Sequence, residues 1–81
     1  MRQGQRYGHE GLRVEAESAV RRSGKKRKDV AAELGIAPSS VTNALKVSGP
    51  KYASLQKRII EHLTDYRMTE STIFEAVRKE Q

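Results

Sequence analysis

Apolar side chains recur along this chain in stripes. Leu12, Ala16, Ala19 and Val20 stand at offsets of four, seven and eight residues, the spacing that lines one face of an amphipathic α-helix. That stripe runs from Leu12 to about Ser23, where Gly24 offers a stop. Val30, Ala31 and Leu34 mark a second helix over residues 27–34. Gly35 follows and supplies the positive φ that a sharp turn needs. A third helix starts at Pro38, a residue favoured in a first helical turn, and runs to about Lys46. Residues 47–51, Val-Ser-Gly-Pro-Lys, have the turn chemistry of a loop. Leu55, Ile59, Ile60 and Leu63 then predict a fourth helix, and Ile73, Phe74 and Val77 a fifth that opens at Thr69 or Thr72. Thr72 and Glu75 have capping-box spacing. No segment reads as a strand and no internal repeat is visible. The expected fold class is therefore all-α, a compact bundle of about five short helices over residues 12–81. Residues 1–11 carry three glycines and a single large apolar side chain, Tyr7, and read as a flexible basic arm.

At 81 residues the chain has material for one core. With 36% hydrophobic and 5% aromatic residues that core is thin and mainly aliphatic. Charge changes the picture more. Sixteen Lys and Arg against ten Asp and Glu give a net charge of +6 and a pI near 10.0, a field that attracts polyanions. The absence of cysteine excludes disulfides, a thiol nucleophile and a thiolate metal site. His9 and His62 are far apart with no ligand pattern around them, so no metal is expected. Glu61, His62 and Asp65 form no recognisable acid–base or nucleophilic set, and no glycine-rich phosphate loop occurs. The expectation is a non-enzyme with no cofactor and no small-molecule substrate. No apolar run approaches the roughly 20 residues of a membrane span, and no hydrophobic signal core opens the chain. The expected setting is the cytoplasm, on the nucleoid.

Residues 28–46 carry the functional signal. Small Ala31 lets two helices approach, Gly35 makes the turn, Ile36 plugs the corner, and Val41 pins the third helix to the second. This stretch resembles the helix-turn-helix of the lambda-repressor-like superfamily. Its Asp-Val-Ala and Gly-Ile-Ala-Pro-Ser-Ser-Val segments are also similar to the headpiece of lac-repressor-type regulators. Ala37-Pro38, Asn43-Ala44-Leu45 and the following Gly-Pro-Lys resemble the Ner-type regulators of Mu-like transposable phages. The resemblance implies a five-helix fold with the third helix in the major groove and the N-terminal ends of the second and fourth helices at phosphates. The chain departs from the pattern at Ala37, where Ser, Thr or Gly is usual, and at Arg27, where Gln is frequent.

Helical geometry divides the third helix without the family. Val41, Ala44 and Leu45 share one face, whereas Ser39, Thr42, Asn43 and Lys46 share the other. The second set is short and polar, suited to reading base edges. Lys25, Lys26, Arg27 and Lys28 crowd the start of the second helix, where positive charge opposes the helix dipole unless an anion arrives. With Ser40, Lys51 and Lys57 they are the candidate phosphate contacts. Arg2 and Arg6 fit either a groove-entering arm or plain disorder. The expected function is sequence-specific binding of double-stranded DNA by a phage or mobile-element transcriptional repressor. A homodimer on DNA is expected, with Ile73, Phe74 and Val77 serving as a seam or as plain core. The rival functions are a DNA-binding antitoxin, a recombination or replication accessory protein, and a protein-interaction adaptor.

Overall fold

The computed structural model describes residues 4–70 and 74–79. Its elements are β1 (Arg6–Tyr7), α1 (His9–Ser23), α2 (Arg27–Leu34), α3 (Pro38–Lys46), α4 (Pro50–Leu63), β2 (Tyr66–Glu70) and β3 (Phe74–Arg78). The bounds of α2 and α3 are those the sequence pattern predicts. The stripe of α1 is buried as expected, with Leu12, Ala16, Ala19 and Val20 all inside. The helix itself starts earlier, because the Leu12 N–H already reaches the Gly8 carbonyl at 2.9 Å. Residues 50 and 51, read as loop, are the first turn of α4. Pro50 stands where a helical N–H would have no partner. Gly49, with φ 122° and ψ 176°, holds a conformation open essentially to glycine alone.

Among the described residues the predicted fifth helix is replaced by strands. After Leu63 the chain forms an antiparallel hairpin, and β1 joins it to make a three-stranded sheet in the order β1-β3-β2. The fold is thus four helices with a small sheet, not an all-α bundle of five. Met68 pairs with Ala76 and Arg67 with Val77. Met68, Phe74 and Ala76 turn into the core, while Arg67 and Thr69 are exposed and Glu75 and Val77 half-buried. This is the two-residue period of a pleated sheet with one covered face. A run so short also satisfies a helical stripe through Phe74 and Val77, and cross-strand pairing decides between the two. Glu75 of the supposed capping box lies in β3 opposite Arg6 and Thr69. Thr72, the other half of that box, and Ile73 lie outside the described residues.

The N-terminal segment read as a flexible arm is built into this sheet from Gly4 onward. The Gly4 N–H donates to the Ala76 carbonyl at 2.7 Å, and the Ala76 N–H to the Gln5 carbonyl at 2.8 Å. Tyr7 is buried in the same cluster as Leu12, Ile59 and Phe74. Burial and the neighbouring Glu15 carboxylate push the Tyr7 phenol up to about 12. Arg2 lies outside the described residues.

One core joins all these elements. Leu12 of α1, Val30 of α2, Val41 of α3 and Ile59 and Ile60 of α4 are fully enclosed. Phe74, read as a candidate dimer seam, is 3% exposed within this core and meets the His9 ring edge-on at 5.3 Å. It has no surface left to offer a second copy. The edge strand β2 is blunted as well. Its Tyr66 N–H donates to Thr64 Oγ1 at 3.1 Å and its Met68 N–H to Glu61 Oε2 at 3.2 Å, which removes donors that an added strand would use.

Candidate nucleic-acid interface

The turn between α2 and α3 is set by local chemistry. Gly35 sits at φ 71° and ψ 34°, in the left-handed region. Its N–H reaches the Ala32 carbonyl at 3.2 Å and that of Ile36 reaches Ala31 at 3.0 Å, the paired bonds of a Schellman motif. Ala31 and Val41 are fully buried, and Ile36 packs half-buried against the same core. The four motif positions thus converge on the α2–α3 corner and fix how α3 leaves it.

Val41, Ala44 and Leu45 seal α3 onto the core. Ser39, Asn43 and Lys46 are exposed, and Thr42 and Ser40 are half-buried. None of the side chains of Ser39, Thr42, Asn43 and Lys46 makes a hydrogen bond or ion pair among the described residues. Their donors and acceptors are unspent. Pro38 occupies the first turn, and Ala37 at the N-cap makes no side-chain bond to the helix start. Pro38 brings no N–H to this turn, and the Ser40 N–H is taken by the Ala37 carbonyl at 3.0 Å.

The cations fall into two groups. Lys26, Arg27 and Lys28 are exposed at the start of α2, with no ion pair among the described residues, and Lys26 at the N-cap makes no capping bond. Lys25 is engaged elsewhere. Its Nζ donates to both carboxylate oxygens of Glu33, at 2.8 and 2.9 Å, and His62 Nε2 of α4 meets the same carboxylate at 2.5 Å. Hydrogen bonds from His62 and then Lys25 hold the Glu33 carboxyl below its ordinary range. Lys25 and Glu33 thus cancel much of each other's charge, and the field at the start of α2 comes from the three cations after it. Lys51 lies in the first turn of α4 with its Nζ 5.6 Å from the centroid of the Tyr52 ring. Lys57 is half-buried two turns on.

Two further side chains hold this surface, and sequence reading passes over both. Gln56 of α4 is fully enclosed, and its Nε2 donates to the carbonyls of Ala44 and Val47 at 2.8 and 2.9 Å. Arg13 of α1 sends Nη1 to the Leu45 carbonyl at 2.9 Å, with its Nε and Nη2 gripped by Glu10 at 2.8 and 2.7 Å. A signal for Gln56 does exist, since it stands on the Leu55, Ile59, Ile60 side of α4 where a polar residue needs a partner. Arg13 gives none, as its partner lies 32 residues away.

No group of three or more His, Cys, Asp or Glu among the described residues is placed to hold a metal ion. No described helix is long and apolar enough to cross a membrane. Comparison with protein-family models, curated proteins and solved structures returns no match.

Proposed function

We propose that this chain binds double-stranded DNA with sequence specificity by laying the outward face of α3 in the major groove. The observation that carries the reading is the asymmetry of α3. One face is sealed into the core, and the other presents Ser39, Thr42, Asn43 and Lys46 with no partner among the described residues. Short polar side chains let a helix lie deep in a groove roughly 12 Å wide, where Asn pairs bidentately with adenine and Ser or Thr meets base edges. Lys26, Arg27 and Lys28 add affinity by displacing condensed counterions from the phosphate backbone. Regulation follows by occupancy of an operator. The Ner-type resemblance of residues 37–51 supports a phage or mobile-element repressor. Two copies about a two-fold axis would read half-sites one helical turn apart, with a seam that does not use Phe74.

The test is a pair of substitutions on the exposed surface, each measured on a site selected from random duplexes and on a scrambled duplex across a salt series. Asn43→Ala is expected to lose roughly 1–3 kcal/mol on the selected site and relax discrimination at one base pair. Lys26→Ala is expected to weaken both duplexes alike and reduce the salt slope by about one per chain. Sedimentation of the complex should give two chains per site. A wild-type protein without salt-dependent duplex binding would turn the reading toward a protein-interaction adaptor.

A further inference from the structure

We infer that Arg13 and Gln56 are specificity-determining positioning residues, which fix the last turn of α3 and so the pose in which Asn43 and Lys46 meet base edges. The inference rests on the DNA-binding reading above and deepens it. A nine-residue helix is only about 13 Å long, so a small swing at either end displaces every side chain it presents. The N-terminal end of α3 has no side-chain cap. Its C-terminal end has no left-handed residue to close it, because Val47 is extended at φ −114° and ψ 118°.

The carbonyls of that end are taken instead by groups from three directions. Asn43 O accepts the Val47 N–H at 2.9 Å. Ala44 O accepts from Gln56 of α4, and Leu45 O from Arg13 of α1. Gln56 also holds the Val47 carbonyl, so a single amide group spans the end of the helix and the first residue beyond it. Its Oε1 has no partner among the described residues. The reversed amide would aim an oxygen at two carbonyl oxygens, so the site uses this side chain for its two donors. Arg13 is aimed in the same manner. Glu10 holds two of its nitrogens and leaves the third directed at Leu45. Asn43 and Lys46 both belong to the turn so clamped, whereas Ser39 lies a full turn ahead of it.

The test compares wild type with Gln56→Met, which keeps the length and loses both donors, and Arg13→Lys, which keeps the charge and loses the fork. The second is the safeguard, since Arg13 is half-buried outside the apolar core cluster and its replacement by lysine spares that core. Each is assayed at a temperature where circular dichroism shows it folded, on the selected site, on all its single-base variants and on scrambled duplex. The expected result is a loss of roughly tenfold on the selected site, the scale of one weakened bidentate contact. Discrimination should flatten at the base pairs that Asn43→Ala and Lys46→Ala affect, with scrambled-duplex affinity and salt slope unchanged. Amide exchange at Val47 should quicken in both variants. Equal losses on both duplexes, or a wild-type discrimination profile in folded Arg13→Lys, would overturn the inference while leaving DNA binding intact. Absence of duplex binding by wild type would remove the inference together with the reading beneath it.

Discussion

The two helices of the motif end in opposite ways. At the end of α2 the chain closes on itself through Gly35, with the Ala31 and Ala32 carbonyls answered by the next residues along and the Leu34 carbonyl met by a distant side chain, that of Arg58. At the end of α3 the Ala44 and Leu45 carbonyls are answered by Gln56 and Arg13, residues 12 and 32 positions away. A local stop forms as soon as its own residues adopt the turn. A distributed stop forms only when α1, α3 and α4 have docked, so the surface it presents is a product of the whole fold. The backbone path of the corner is therefore set mainly by its own residues, with Arg58 of α4 adding a bond to the Leu34 carbonyl at 3.0 Å, whereas the outward face of α3 depends on the docked fold.

The strongest way to break this contrast is Gln56→Ala. It opens a cavity and takes the Gln56 donor from the buried Ala44 carbonyl and the part-buried Val47 carbonyl, and the expected cost is about 2–4 kcal/mol, offset in part by removal of the unpartnered Oε1. A urea melt superimposable on the wild type would show that α3 needs no tertiary stop. Gly35→Val tests the local end and should cost about 1–3 kcal/mol through backbone strain. No atom lies within 4 Å of the position a Cβ would take there, so Gly35→Asn, which tolerates the left-handed region, should recover most of the loss. If Gly35→Asn melted as low as Gly35→Val, packing rather than backbone conformation would govern the corner.

The smallest effect concerns the tie from α2 to α4 through Glu33. Its carboxyl is held below the usual value by His62 and Lys25. A depressed folded-state pKa gives stability that is complete above the ordinary carboxylate value of 4.5, and that is lost as pH falls through the lower folded value. Glu33→Gln should therefore lower the melting temperature slightly at pH 7, with the difference from wild type closing in acid. A difference that stayed constant across that range would mean Glu33 acts by packing and not by charge.

What could be read in advance follows the same division. The bounds of α2 and α3, the turn at Gly35 and the two faces of α3 are written in residues a few positions apart, where stripe spacing, a first-turn proline and a glycine act locally. The two elements misjudged lie where the signal is not local. Phe74 and Val77 fit a helical stripe and a strand equally well, and what settles them is the register with Met68 and Arg67 across the hairpin. Arg6 and Tyr7 carry no strand signal of their own, and they become one because β3 offers its edge to them.

By itself the sequence determined the bounds of α2 and α3, the apolar stripes of α1 and α4, the geometry of the corner between α2 and α3, and the sealed and polar faces of α3. Each depends on backbone preferences and side-chain periods within a few residues. Only the tertiary structure decided that the C-terminal segment pairs as a sheet, that Lys25 is drawn to Glu33, and that Arg13 and Gln56 close α3. The clamp on α3 depends on bonds between distant residues, whose donors and acceptors meet only after the core around Leu12, Val41 and Ile59 has brought their elements together, whereas the hairpin and the Lys25–Glu33 pair depend on cross-strand register and side-chain charge that stripe spacing does not record.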